Sequence, residues 1–492
     1  MHLRNAHGES MHPRPSSRFV NLRTGDRDID RAFRIAIGDL VSNIVPYKSG
    51  LLDRPRAVFV AGLDYDRPWT RDAAINTWNG AGMLLSDVTH NTLLSTLERT
   101  EDTTRIAGQY WDAIIWTIGA WWQYLYAGDK EFLALALEAT RNSLALLEST
   151  EFDASINLFR GPAVYGDGIA AYPDVYVTGR SSSILDWPQF NPQDTSKPGY
   201  GIPMHALSTN CVYYYAYVLA ERMASELGVP PDPTWSAKAE ALKEAINRHF
   251  WQPHKGCYRY LVDPFGGCDH QEGLGHCFVL LFGIADAEQA EAIFRNQHVT
   301  PSGIPCVWPT FARYESADGM SFGRHSGTVW PHIQGFWAHA AASYGKADLF
   351  EHELKKLARH ACRDSQFAEI YHPISGEIYG GMQESDQGIR EWKSCSRQTW
   401  SATGFVRMIF MGLVGMTFEP DSIYFKPLLT EGFKHVRLSH LPYRGMFLDI
   451  QIEGPGTQIA EFRINEQPVH PPILPATGAG EQRITIRMMP SR

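Results

Sequence analysis

Apolar residues recur at helical spacing through most of this chain. Ile29, Phe33, Ala36, Leu40 and Ile44 mark one stripe, and Trp111, Ile115, Ile118, Trp122 and Leu125 a second. Phe132, Ala136, Ala139 and Leu147 mark a third. Each predicts an amphipathic helix that buries one face. Three joins share one device: Tyr126-Ala127-Gly128-Asp129, Leu281-Phe282-Gly283-Ile284-Ala285-Asp286 and Tyr344-Gly345-Lys346-Ala347-Asp348. Gly suits the left-handed residue that ends a helix and Asp caps the next, so such joins build antiparallel hairpins. About eleven or twelve helical stretches fit between residues 28 and 416, with long loops near 50–70, 150–204 and 299–328. Alternating short and long joins predict hairpins closed into a ring, with the long loops gathered at one mouth.

After Met416 the period drops to two. Met446, Leu448, Ile450 and Ile452 alternate with more polar positions, as do Ala460, Phe462 and Ile464, and Ile484, Ile486 and Met488. The expected layout is a polar N-terminal arm (1–27), a helical domain (28–417) and a small antiparallel β cap (418–492) with a structural role.

Composition narrows the partners. Against 45 Lys+Arg stand 54 Asp+Glu, a net charge of −9, which argues against a phosphate-tracking surface or docking on anionic membranes. No run approaches the roughly 18 apolar residues of a membrane span, and residues 1–27 lack the apolar core of a secretory signal. The seven Cys are scattered without a CxxC pair, which favours free thiols in a reducing cytoplasm. The chain carries no sign of its oligomeric state. His270, His276 and Cys277 lack a metal-ligand spacing, Gly266, Gly267 and Gly273 make no phosphate loop, and no G-x-S-x-G elbow occurs. Neither metal nor cofactor is expected. Aromatic residues make up 12% of the chain; they fill cores, and they also wall sugar sites.

Five clusters place aromatics beside charge. In Trp69-Thr70-Arg71-Asp72 a guanidinium and a carboxylate at a helix mouth can grip vicinal hydroxyls; a capping Asp with a surface Arg is the plainer account. Trp111, Asp112 and Trp116 open a second amphipathic helix, as core indoles or as a hydroxyl-binding Asp beside a wall. Gly166-Asp167-Gly168 leads to Tyr172-Pro173-Asp174. Flanking glycines let the backbone bend and leave Asp167 accessible, and apolar surroundings would raise its pKa so that it could protonate a leaving oxygen. A turn Asp is the alternative. His325-Ser326-Gly327-Thr328-Val329-Trp330-Pro331 leads into another helix. Glu369-Ile370-Tyr371-His372-Pro373-Ile374-Ser375-Gly376-Glu377 offers two bases for water, Glu369 and Glu377, and Gln398-Thr399-Trp400-Ser401-Ala402 enters the last helix.

At these clusters the sequence resembles the six-hairpin glycosidases, near the inverting α-glycosidases of glycoside hydrolase family 63 and the glucosidase portion of glycogen-debranching-like proteins. Trp69-Thr70-Arg71-Asp72 is similar to their W-x-R-D element, and His325 to Pro331 to H-N-G-x-x-W-P, with Ser326 in place of Asn. Glu369 to Gly376 follows E-N-Y-x-P-x-T-G, whose Glu is the general base. Trp400-Ser401-Ala402 resembles the start of their final inner helix, and the cap around Leu441-Pro442-Tyr443-Arg444-Gly445 is similar to that of barrel phosphorylases and rhamnosidases. The acid element E-S-G-x-D-x-x-P departs: aligning Tyr172-Pro173 puts Ala where the acid would stand, which points to a distinct family.

The resemblance implies an (α/α)6 toroid and an exo-acting inverting glycosidase acting on a small saccharide or glycoside, with an α-linked terminal sugar. Asp167 would be the acid and Glu369 the base, with Asp174 and Glu377 as alternatives. Trp69, Arg71, Asp72, Trp111, Asp112, Tyr172, His325, Trp330, Gln398 and Trp400 would bind the sugar. A phosphorylase on the same fold, a sugar epimerase using paired histidines such as His325, and a non-catalytic sugar-binding protein are the other readings.

Overall fold

Asp26 opens the first helix, α1 (Arg27–Ser42), by accepting from the N–H groups of Asp28 and Ile29. Ile29, Phe33, Ala36 and Leu40 are buried along it, as their spacing predicts. Ile44 falls outside the helix and begins a short strand, Ile44–Tyr47, paired with Arg56–Phe59. The computed structural model describes residues 19–100, 103–177, 181–191, 200–430, 432–433 and 435–489. Most of the expected N-terminal arm, residues 1–18, lies outside the described residues.

Eleven further helices carry the chain to residue 407: α2 (Thr70–Asn76), α3 (Ser86–Ser95), α4 (Trp116–Ala127), α5 (Lys130–Glu151), α6 (Leu207–Leu227), α7 (Trp235–Phe250), α8 (Gly273–Leu281), α9 (Ala287–Asn296), α10 (Pro331–Ser343), α11 (Ala347–Asp364) and α12 (Thr399–Arg407). Shorter helical turns are left unlabelled. Gly128 closes α4 in the left-handed conformation (φ 75°) and Asp129 caps α5 through the N–H groups of Glu131 and Phe132. Gly283 (φ 67°) and Asp286 make the α8–α9 join in the same way, with a capping box to Gln289. The third join differs. Gly345 turns the chain (φ 71°), but Lys346 holds the cap position and Asp348 lies inside the first turn of α11, where it meets the helix dipole instead of capping it.

The even-numbered helices touch in a cycle: α2 with α4, α4 with α6, α6 with α8, α8 with α10, α10 with α12, and α12 with α2. α1, α3, α5, α7 and α11 each pack on members of this cycle, and Phe294 of α9 meets Trp337 of α10 at 5.2 Å between ring centroids. The α10–α12 contact is backbone against backbone. A Cβ on Gly335 would stand 2.6 Å from the Gly404 carbonyl oxygen, and one on Gly404 2.7 Å from that of Pro331.

From Met416 the chain turns to strands. Met416–Glu419, Ser422–Phe425 and Ile473–Pro475 form a three-stranded sheet. A six-stranded sheet follows the order Asn21–Arg23, His435–Tyr443, Met446–Glu453, Gly480–Met489, Gln458–Ile464, Gln467–Pro468. Its centre is not antiparallel as expected: Met446–Glu453 and Gly480–Met489 run parallel, with Ile450 opposite Ile484. Residues 454–479 supply the long crossover that a parallel pair needs. Phe462 is buried, but the register shift between Ile459 and Glu461 swings Ala460 outward. The edge strand Asn21–Arg23 joins the start of the chain to this C-terminal sheet.

Candidate active site

The long loops bring most of the singled-out residues together. Arg71 and Asp72 occupy the first turn of α2, entered from Trp69. Arg71 Nη1 donates to Asp112 Oδ2 at 2.7 Å and to the Val164 carbonyl at 2.8 Å, and its Nη2 lies 3.8 Å from Asp167 Oδ2. Burial opposes the Arg71 charge, but the carboxylates of Asp112, Asp167 and Asp72 outweigh it and hold the guanidinium protonated. Burial also pushes the Asp72 and Asp112 carboxyls up to about 7 each, against the pull of Arg71. Each keeps one buried oxygen, Oδ1, without a protein partner. Two carboxyl oxygens ready to accept from hydroxyls therefore flank one fixed guanidinium. Asp112 precedes a 3-10 turn (Ala113–Ile115) and does not share a helix face with Trp116, whose indole donates to Leu93 O in the core.

Asp167 stands in the loop opposite, its side chain 42% exposed. His325 Nε2 lies 3.8 Å from its Oδ1. Burial drives His325 down to about 3, so this contact is no ion pair at neutral pH. The glycines beside Asp167 do not take left-handed backbone. Gly168 is required for closeness: a Cβ there would run into Gln383 Oε1 and stand 2.5 Å from His325 Cε1.

Glu369 is almost fully buried. Its Oε2 accepts from Arg324 Nη2 at 2.7 Å and from the Cys395 N–H at 3.0 Å, while Tyr65 donates to Oε1 at 3.3 Å. Asp72 lies within electrostatic range of both Glu369 and Asp167, and both raise its affinity for a proton. The floor is aromatic. Trp330 stacks on His325 at 4.9 Å and meets the edge of Trp400 at 5.7 Å. His332 stacks on Trp400 at 4.2 Å, and the Arg71 guanidinium lies 5.8 Å from the Trp400 ring. Gln398 precedes α12, its Oε1 buried and unpartnered, and Trp69, half-buried, lies under Arg67.

Four expected site residues belong elsewhere. Trp111 is fully buried and donates to Ala163 O at 2.9 Å, so it packs beneath Asp112 and offers no wall. Tyr172 is equally buried: its hydroxyl donates to Gly166 O and accepts from the Ala163 N–H, bracing the Asp167 loop. Asp174 points to solvent and pairs with Arg313 at 2.7 Å. Glu377 is exposed in a turn closed by its backbone onto His372.

Sequence reasoning passed over Tyr65, Arg324, His332 and Gln383. The first two lie just ahead of the quoted clusters, Tyr65 four residues before Trp69 and Arg324 directly before His325. His332 follows Trp330-Pro331 directly, and both its ring nitrogens are buried without partners. Gln383 lies on the hairpin Met382–Ser385/Gly388–Glu391 and carries no motif signal. Among the described residues no group of three His, Cys, Asp or Glu is disposed to hold a metal ion. No described helix is long and apolar enough to cross a membrane.

Residues 72–401 match the family model of the mannosylglycerate hydrolase MGH1-like glycoside hydrolase domain. No curated protein sequence matches the chain at a significant level. Among solved structures, a sialidase superposes with a TM-score of 0.64 at 13% identity, over 93% of this chain and 40% of its own. A GH78 rhamnosidase of a Bacillus species gives 0.59 at 12%, over 96% and 44%. The GH63 mannosylglycerate hydrolase of Thermus thermophilus, solved with glucose, gives 0.53 at 14%, over 77% and 99%. The chain spans less than half the length of the first two, and identities this low speak for the fold alone.

Proposed function

Because the chain belongs to the MGH1-like glycoside hydrolase family, we propose that it is an exo-acting enzyme that removes a terminal α-linked sugar from a small glycoside or oligosaccharide with inversion. The observation that carries this reading is the fixed orientation of Glu369. Arg324 and the Cys395 N–H occupy its Oε2, leaving Oε1, beside Tyr65, to take a proton from water. Asp167, half-exposed between Arg71 and His325, gives its proton to the leaving oxygen. Inverting pairs hold their carboxyls roughly 6.5–9.5 Å apart to admit that water.

The terminal sugar lies over Trp330, Trp400 and His332, its hydroxyls donating to the free oxygens of Asp72 and Asp112 and accepting from Arg71. No step calls on a cofactor. The cyclic contacts of the even-numbered helices support an (α/α)6 toroid over 28–417, with 418–492 as its cap. The cysteines, free and buried, fit work in a reducing cytoplasm.

The test is a panel of aryl α- and β-glycosides and disaccharides with the anomeric outcome followed by NMR. Inversion is expected, with Glu369→Gln inactive and Asp167→Asn active only on substrates with good leaving groups. Retained configuration, full activity in either variant, or turnover that depends on phosphate would overturn the proposal.

A further inference from the structure

A glycoside's leaving group departs on the side where the general acid stands. The surface flanking Asp167 therefore decides which aglycone fits. The chain folds back along that loop: the Ile184 N–H donates to Asp167 O at 3.0 Å, and the Ile169 N–H to Ser182 O at 2.8 Å. Around Trp187, on the segments that pack along the acid's loop, side chains are apolar yet uncovered, with Val175 46%, Leu185 41% and Phe265 51% exposed.

These side chains are held firmly. Trp187 is buried beneath them, its Nε1 donating to Val175 O at 3.3 Å and its ring 6.1 Å from that of Phe265. Asp263 fixes the Phe265 turn, accepting from the N–H groups of Phe265 and Gly267 at 2.8 Å and from the Tyr176 hydroxyl at 3.0 Å. A rigid apolar patch left in water marks a place for an apolar ligand. Three guanidinium groups at the site are already matched: Arg71 with Asp112, Arg313 with Asp174 and Glu384, Arg324 with Glu369. None of these three is left over for a carboxylate or phosphate on the leaving group.

We propose that the aglycone is uncharged and apolar, an aryl or long-alkyl group seated on Val175, Leu185 and Phe265. The inference rests on the hydrolase reading with Asp167 as acid, and it separates this chain from an enzyme built for an anionic aglycone such as glycerate.

The experiment compares α-mannosyl, α-glucosyl and α-rhamnosyl fluorides with the phenyl, octyl and glycerate glycosides of whichever sugar is accepted. Fluoride presents nothing to the platform. Phenyl and octyl glycosides are expected to exceed the glycerate glycoside by about tenfold or more in kcat/KM. Phe265→Ser and Leu185→Ser, both at exposed positions, should lower the octyl-to-fluoride ratio by a similar factor. A glycerate glycoside turned over as well as the octyl one, or an unchanged ratio in both variants, overturns the assignment. So does a wild-type dimer that Phe265→Ser splits, since the patch would then belong to a second copy. If no fluoride is hydrolysed, the hydrolase reading falls and takes the aglycone with it. That outcome is distinct from a hydrolysed fluoride without aglycone preference.

Discussion

Arg324 holds Glu369 by a single 2.7 Å contact from Nη2 to Oε2, while its Nη1 is spent on the carbonyls of Gly380 and Lys393. The guanidinium is thus anchored by backbone before it meets the carboxylate, so the carboxylate inherits a fixed direction.

Replacing Arg324 should therefore act on kcat more than on KM. Arg324→Ala is expected to lower kcat by about a hundredfold, the scale of a misplaced catalytic group. Arg324→Lys restores only part of this, because an ammonium lacks the planar fork that reaches the two carbonyls and the carboxylate together. Steady-state kinetics on the best aryl glycoside checks both. Equal activity in the lysine variant and wild type would show that charge alone matters.

Gly168→Ala tests the closeness of the acid loop to its neighbours. The new methyl would press on Gln383 and His325, and the loop must lift to make room. Turnover should fall sharply, by more than any loss of stability accounts for, since the methyl displaces the loop that carries Asp167 even though its neighbours Gly166 and Ile169 to Tyr172 are buried. A large loss of stability with normal specific activity would contradict this.

Asp72 ties stability to pH. Its carboxyl is raised from 3.8 to about 7 in the fold by burial. The folded chain keeps this proton across a pH range in which the unfolded chain has lost it. The contribution is complete below about pH 4 and disappears as pH climbs through about 7. Asn stays neutral throughout. Asp72→Asn should therefore melt above wild type at pH 8, by about 1 °C for each roughly 1 kcal/mol recovered in a chain of this size, with the gap closing towards pH 5. Its turnover should be lost at both pH values. Calorimetry at the two pH values, with parallel assays, measures it.

Gly335→Ala concerns the scaffold alone. With the Gly404 carbonyl 2.6 Å from the added Cβ, α10 and α12 must separate, at about 1–3 kcal/mol for an overpacked contact. Chemical denaturation should show a lower midpoint with an unchanged slope.

The helical plan and the meeting of Arg71, Asp112, Asp167, Glu369, Trp330 and Trp400 could be read from the sequence, because spacing reports which face is apolar and motif order reports which loops share an end. Direction within a loop could not. Trp111 and Tyr172 stand beside carboxylates in sequence, yet their rings turn inward to brace the loops, and no local pattern distinguishes an aromatic floor from an aromatic prop. The pairing of Met446–Glu453 with Gly480–Met489 was hidden for a similar reason. Alternation fixes the buried face of a strand and says nothing of which way its neighbour runs.

The cycle of even-numbered helices closes only where α12 meets α2, and α1 rests on α11 and α12 while Asn21–Arg23 adds to the C-terminal sheet. α1 and α2 therefore wait for α12, more than 300 residues later in the chain, before their apolar faces are covered. At about 5–20 residues per second, synthesis of the stretch between α2 and α12 takes roughly a quarter of a minute to a minute. Throughout that interval the growing arc is open at the α12–α2 seam, and the apolar faces of α1 and α2 have nothing to close on.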